Sequence, residues 1–319
     1  MNNYLKLIRF PNLMIIAMTQ YVMRYFIIKP ILEINSIKLQ FADFDFALLV
    51  LATVCMAAAG YIINDYFDTK GDRLNRKEVI VGRKIKRRIA MILHQLFAFT
   101  SIVLGGYISY KIGHWQFVFF FFMAGGLFWF YSTSYKYYFL LGSFLIALLA
   151  AAVPFLVVIY EIPPLNKTYA EVLIASKTNF NYLLYWVGAF SFFSFFGVLI
   201  SQFVRDLVST KGDREIKRRS LPIVIGMKWA KAVINTLILF LCSSVFGVWI
   251  QFLNAPIDTI TPWYFSLFLI LPLLYLAYRI YKYQEEDEFR TGIFLLRMVI
   301  LAGIAYAFVV NYIIHHSNF

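Results

Sequence analysis

The sequence predicts an all-α membrane protein: nine transmembrane helices in one bundle, with the N-terminus on the cytoplasmic side. Three observations lead there. Of the 319 residues, 61 % are apolar and 15 % charged, with a mean hydropathy of +0.70, whereas soluble domains are about half apolar and a quarter charged. Apolar runs near the ~20 residues that cross a bilayer core recur along the whole chain. The basic residues gather in alternate connecting segments. Together these exclude a soluble globular enzyme, a disordered chain and a nucleic-acid-binding module, so no nucleic acid is expected as a partner. The formal charge of +13 points instead to membrane lipid headgroups and phosphate ligands.

The spans are expected at 10–28, 44–63, 89–109, 115–132, 139–160, 182–204, 223–250, 262–281 and 291–314. Lys6 and Arg9 precede the first, which is span-length and lacks a small-residue cleavage site, so it reads as a helix rather than a signal peptide. Cys55 and Cys242 fall inside the second and seventh spans, as buried thiols rather than a disulfide framework. Phe117–Phe122 reads as plain span, and Pro163-Pro164 as a loop after the fifth. The four histidines, His94, His114, His315 and His316, show no metal-ligand spacing. With the N-terminus inside, the inner segments hold 24 Lys and Arg and the outer ones 6. This positive-inside split places the polar loops in the cytoplasm and the protein in the inner, cytoplasmic membrane.

Five of the nine aspartates lie in two short segments. One is Asp65-Tyr-Phe-Asp68-Thr-Lys70-Gly71-Asp72-Arg73, preceded by Asn64; the other is Asp206-Leu-Val-Ser209-Thr-Lys211-Gly212-Asp213-Arg214. Six of nine positions are identical at an offset of 141 residues. Four spans separate them, so both lie on one membrane face. Such self-similarity reads as a duplication, with halves of about 1–160 and 161–319 inside one domain, 1–319. On a helix, i, i+3 and i+7 share a face, so Asp65, Asp68 and Asp72 form a carboxylate stripe, repeated by Asp206 and Asp213 around Ser209. Crowded carboxylates repel unless a cation sits among them, and Mg²⁺ takes one or two carboxylates together with substrate phosphates. A single motif could be a solvated helix end; two matched motifs on one face argue for a metal–diphosphate site. Lys70, Arg73, Lys136, Lys211 and Arg214 lie on the same side, where cations would clamp a diphosphate's growing charge. Lys136 stands alone in a short, Tyr-rich turn. A duplicated charged bundle also fits a transporter, although transporter sites lie near the midplane and these acids gather at one face.

At these residues the chain resembles the UbiA superfamily of intramembrane prenyltransferases. The resemblance rests on Asn64-Asp65-x-x-Asp68-x-x-x-Asp72 and on Asp206 through Asp213. Supporting pieces are Arg9-Phe-Pro11-Asn12, Tyr131-Ser132, Lys136, Gly142 and Ser220-Leu221-Pro222. Ser209 departs from the family pattern, which usually has Asp there, and a hydroxyl is the weaker Mg²⁺ ligand. The stretch Asn75-Arg76-Lys77-Glu78 through Gly82-Arg83 is similar to the digeranylgeranylglyceryl phosphate synthase branch. The resemblance implies a central cavity roofed by the two Asp-rich loops. It implies a Mg²⁺-dependent transfer from a polyprenyl diphosphate of geranylgeranyl type to a lipophilic acceptor. That acceptor is a prenylglyceryl phosphate or, alternatively, an aromatic quinone precursor. The metal ligands would be Asn64, Asp65, Asp68, Asp72, Asp206 and Asp213, with Asp68, Asp72 and Asp213 catalytic. Asn64, Arg73, Lys136, Lys211 and Arg214 would hold the diphosphate, and Arg9 and Asn12 would orient the acceptor.

Overall fold

Nine helices long and apolar enough to cross a membrane run through the described residues of the computed structural model, which are 3–74, 78–250, 258–283 and 286–316. They are α1 (Phe10–Ile34), α2 (Asp43–Phe67), α3 (Arg87–Lys111), α4 (Trp115–Thr133), α5 (Leu141–Thr168), α6 (Asn181–Glu215), α7 (Met227–Val248), α8 (Ile260–Lys282) and α9 (Glu288–His316). The spans expected from sequence all form, because each carries enough apolar surface to replace water with lipid and to satisfy its own backbone internally. Asn75, Arg76 and Lys77 lie outside the described residues.

Two boundaries differ informatively. Pro163 and Pro164, expected in a loop, lie inside α5; Glu161 and Leu165 around them are fully buried and hold these last turns in the helix. α6 runs 11 residues beyond its expected end at 204 and carries the whole second acidic motif as helix.

α2 packs most extensively on α3, and α6 on α5 and α9. Small side chains on α2, Ala52 and Ala57 to Gly60, are buried and let neighbouring backbones close in. A Cβ on Gly60 would fall 2.6 Å from the Phe128 ring of α4. Polar contacts tie the same faces: Ser101 donates to the Ala52 carbonyl at 2.7 Å, and His94 Nδ1 lies 3.0 Å from the Ala59 carbonyl. Both cysteines are free and buried.

Between α2 and α3 the chain turns back through a bridge from Val81 to Ile85. Ile80, Val81 and Ile85 pack with Leu7, Ile62 and Ala90. Glu78 takes hydrogen bonds from Lys84 and Lys6, which hold its carboxyl down at about 2. This segment therefore docks on the N-terminal helix.

Candidate active site

The site is built where α1, α2, α5 and α6 reach one end of the bundle. Arg9 precedes α1 in a left-handed conformation, φ 50° and ψ 52°, with Pro11 in the first turn. That turn carries the guanidinium across to α2. Its Nη2 is 2.8 Å from Asp65 Oδ1, and its charge sits 4.9 Å from the Tyr61 ring centre. Burial lowers the Arg9 pKa, but Asp65 together with Tyr61 and Asp72 raises it, and the group ends above its ordinary value.

α2 stops at Phe67 with Asp68 as its C-cap, and a short helix, Thr69–Leu74, follows. The first acidic stripe is therefore bent at its middle residue. Asp65 turns to Arg9, whereas Asp68 receives Lys136 Nζ on Oδ1 at 2.6 Å. Lys136 sits in the turn Tyr135–Tyr137 and is 4 % exposed. The turn needs glycine at 142: a Cβ there would lie 2.8 Å from Lys136 Cα and 3.2 Å from the Tyr135 carbonyl.

The second stripe stays straight. Asp206, Ser209 and Asp213 are all buried on one face of α6. Ser209 Oγ, with one proton to give, lies 2.9 Å from Asp213 Oδ2, to which it donates, and 3.0 Å from the Arg205 carbonyl. Arg218, in the turn after α6, closes the pair: Nη2 is 3.1 Å from Asp206 Oδ1, and Nη1 is 3.7 Å from Asp213 Oδ2. Burial lowers its pKa, but Asp206 and the other nearby anions raise it above the ordinary arginine value.

The two motifs meet through these bases. Arg218 Nε donates to the Lys136 carbonyl at 3.0 Å, and Arg219 N–H to the Tyr137 carbonyl at 3.2 Å. Asp68, Lys136, Arg218, Asp206 and Asp213 thus form one linked cluster drawn from both halves of the chain. Sequence reasoning missed Arg218, because nothing in the run Lys217-Arg218-Arg219 marks its middle member. Lys70, Arg73, Lys211 and Arg214 are exposed around the cluster, and Arg73 and Arg214 make no ion pair among the described residues.

Asn64, one helical turn before Asp68, has a buried Oδ1 with no hydrogen-bond partner. Such an orphan costs about 1–3 kcal/mol unless a ligand supplies its partner. Among the described residues no three acidic, His or Cys side chains gather tightly enough to hold an ion by themselves. Mg²⁺ needs no such triad, since it takes one or two carboxylates and completes its shell with phosphate and water oxygens. The hard oxygens of Asn64 and the paired aspartates fit that requirement.

Two hollows adjoin the cluster. A smaller one, about 280 Å³, lies between Asp68, Gly71, Tyr137 and Lys217. A larger one, about 630 Å³, opens beside Asn64 and runs down into the bundle. Arg9, Asn12, Tyr61, Tyr131, Arg205 and Arg297 are among its polar residues; Phe120, Phe128, Ile146, Leu149, Phe294 and Ile300 are among its apolar walls. Arg297 donates to Asn12 Oδ1.

An intramembrane helical bundle with paired acidic motifs over an apolar cavity defines a class that handles lipophilic anions at a membrane face. The UbiA prenyltransferase family model matches residues 38–308. The chain belongs to that family and is an integral membrane prenyltransferase. It is 26 % identical over 271 residues to digeranylgeranylglyceryl phosphate synthase of Thermococcus kodakarensis, covering 82 % of this chain and 84 % of the relative. The enzyme of the same name from Methanosphaera stadtmanae is 24 % identical over 210 residues, covering 65 % and 67 %. A solved digeranylgeranylglyceryl phosphate synthase structure shares the fold at TM-score 0.64 and 19 % identity, over 96 % of this chain and 98 % of that one. A UbiA homolog from Archaeoglobus fulgidus bound to DMAPP and Mg²⁺ does so at TM-score 0.59 and 15 % identity, over 98 % and 100 %.

Proposed function

We propose that this protein transfers a geranylgeranyl-type group from its diphosphate to a prenylglyceryl phosphate, with Mg²⁺ bound at the acidic cluster. The observation that carries the reading is the linkage of both Asp motifs through Lys136 and Arg218, next to the orphaned Asn64 oxygen and a hydrocarbon-lined cavity. Asn64, Asp68, Asp72, Asp206 and Asp213 would hold Mg²⁺, which when bound supplies positive charge to the diphosphate as it leaves. Asp65 is spoken for by Arg9 and acts through that pair. Lys136 and Arg218 are placed to take over diphosphate oxygens from the carboxylates they now hold. Lys211, Arg73 and Arg214 extend the positive rim outside. Cleavage of the allylic C–O bond sends the electron pair to diphosphate and leaves a delocalised cation. Tyr61, Tyr131 and Phe128 line the cavity and offer ring faces to it, while the apolar walls exclude the water that would quench it. Arg9 and Asn12 orient the acceptor. The excess of basic residues on the segments at this end supports a cytoplasmic face for the site.

The test is to incubate purified protein with geranylgeranyl diphosphate and a prenylglyceryl phosphate, with Mg²⁺ or with EDTA, and identify products by mass. The expected product is the diprenyl glyceryl phosphate, formed only with Mg²⁺. Transfer to an aromatic acid alone would overturn the acceptor assignment.

A further inference from the structure

We infer that Arg205 and Arg297, with Asn12, form a phosphate subsite for the acceptor's headgroup, separate from the acidic mouth that takes the donor's diphosphate. The inference rests on the functional reading above and names the side chains that would select its acceptor.

Among the described residues, the charged side chains lining the larger cavity are Arg9, Arg205, Arg290 and Arg297, with no aspartate or glutamate. Arg9 is balanced by Asp65. Among the described residues, Arg297 has only the neutral Asn12 amide oxygen. The Arg205 guanidinium makes no hydrogen bond or ion pair among the described residues, and the charges of Arg9 and Arg297 both act on it. Like charges gathered in a mostly apolar, membrane-embedded cavity are costly to hold without an anion between them. The guanidinium fork matches phosphate oxygens in pairs.

The geometry separates this anion from the donor's. Consecutive residues on a helix point about 100° apart. On α6, Asp206 faces Arg218 in the mouth, and its neighbour Arg205 faces the cavity. Arg297 belongs to α9, which contributes no residue to the linked cluster. On either side of Arg297 along the same helix, Ile293 and Phe294 before it and Ile300, Leu301 and Ile304 after it also line the cavity. A phosphate held by Arg205 and Arg297 would lay its prenyl chain along that wall, leaving the opposite side, Phe120 to Phe128 on α4, to the donor.

The test is metal-free binding. In EDTA, a geranylgeranylglyceryl phosphate should bind the detergent-solubilised wild type, and the same lipid without its phosphate should not. Arg205→Gln removes no side-chain hydrogen bond or ion pair among the described residues and should weaken this binding about tenfold or more, with Arg205→Lys intermediate. Arg297→Gln should act likewise, and its melting temperature reports any cost of losing the Asn12 bond. Mg²⁺-dependent binding of a non-hydrolysable geranylgeranyl diphosphate should stay within about twofold in both variants. Loss of diphosphate binding instead, or equal binding of the dephosphorylated lipid by wild type, overturns the subsite. If wild type transfers no prenyl group to the phosphate acceptor, the functional reading fails. The metal-free result then still decides whether these arginines hold a phosphate.

Discussion

At the acidic end of the bundle, Asp65, Asp68, Asp206 and Asp213 face Arg9, Lys136 and Arg218 around hollows that admit a ligand. About 20 residues further along the helices, near 30 Å at 1.5 Å per residue, lies a second charged cluster. There Arg24 of α1 is 1 % exposed and Glu161 of α5 is fully buried. Glu161 Oε1 accepts the backbone N–H groups of Gln40 and Phe41 at 2.9 and 3.0 Å. Arg24 donates to the Phe41 carbonyl, lies 3.1 Å from Asp43, and stands 4.4 Å over the Phe46 ring. Neither residue lines the hollows described above. Both ends bury charge in a membrane bundle and both leave buried atoms without a hydrogen-bond partner, Arg24 Nε and Nη1 and Glu161 Oε2 at one and Asn64 Oδ1 at the other, but only Asn64 lies beside a cavity described here. Burial of charge alone therefore does not mark a site; an unsatisfied polar atom facing a cavity does.

The largest expected effects break the comparison cleanly. Asp72→Ala and Asp68→Asn should each lower prenyl transfer about a thousandfold or more, measured as product per mole of folded protein, with melting temperatures in detergent shifted by only a few degrees. Retained turnover in both would refute the metal assignment. At the other end, Glu161→Ala strips Arg24 of a carboxylate and two backbone N–H groups of their acceptor. It should cost about 3–5 kcal/mol of stability, read by thermal unfolding, while transfer per folded molecule stays near wild type. If instead Glu161→Ala keeps its melting temperature and loses turnover, the two ends are functionally linked.

A smaller effect tests how the mouth is positioned. Gly142→Ala would push a methyl against the Lys136 backbone, 2.8 Å away. The turn must shift, with a stability cost of about 1–3 kcal/mol, and should carry Lys136 off Asp68. Turnover is expected to fall about tenfold, and smaller side chains elsewhere on α5 should not restore it.

Most of the fold was legible because bilayer thickness imposes a length and hydropathy on every span. The twin motifs were legible because they share six of nine positions at one spacing. The contacts that make them a site were not. Helical spacing placed Asp65 on one stripe with Asp68, but α2 ends at Phe67 and sends the two to different bases. Arg218, Arg205 and Arg297 carry no local signature: Arg218 meets its partners through α6 and the turn at Lys136, and the packing of α6 against α9 brings Arg205 and Arg297 to one cavity. The Arg24 cluster was equally hidden, since the π-helical turn Met23–Ile28 that carries it has no pattern in the apolar run.

Ser209 gives the finest test of what distinguishes a ligand-ready cluster from a closed one. Its hydroxyl now points its proton at Asp213, and Arg218 sets positive charge against the buried Asp206–Asp213 pair. Ser209→Asp would remove that donor and set a second carboxylate beside Asp213 in a buried setting, where like charges repel strongly unless a cation joins them. Two consequences follow with opposite signs. Without metal, the variant should melt below wild type. With Mg²⁺ it should recover, and half-maximal activity should come at an Mg²⁺ concentration lower by about two- to tenfold. A melting temperature and Mg²⁺ titration both unchanged would mean that position 209 faces away from the ion, and that the second motif binds through Asp206 and Asp213 alone.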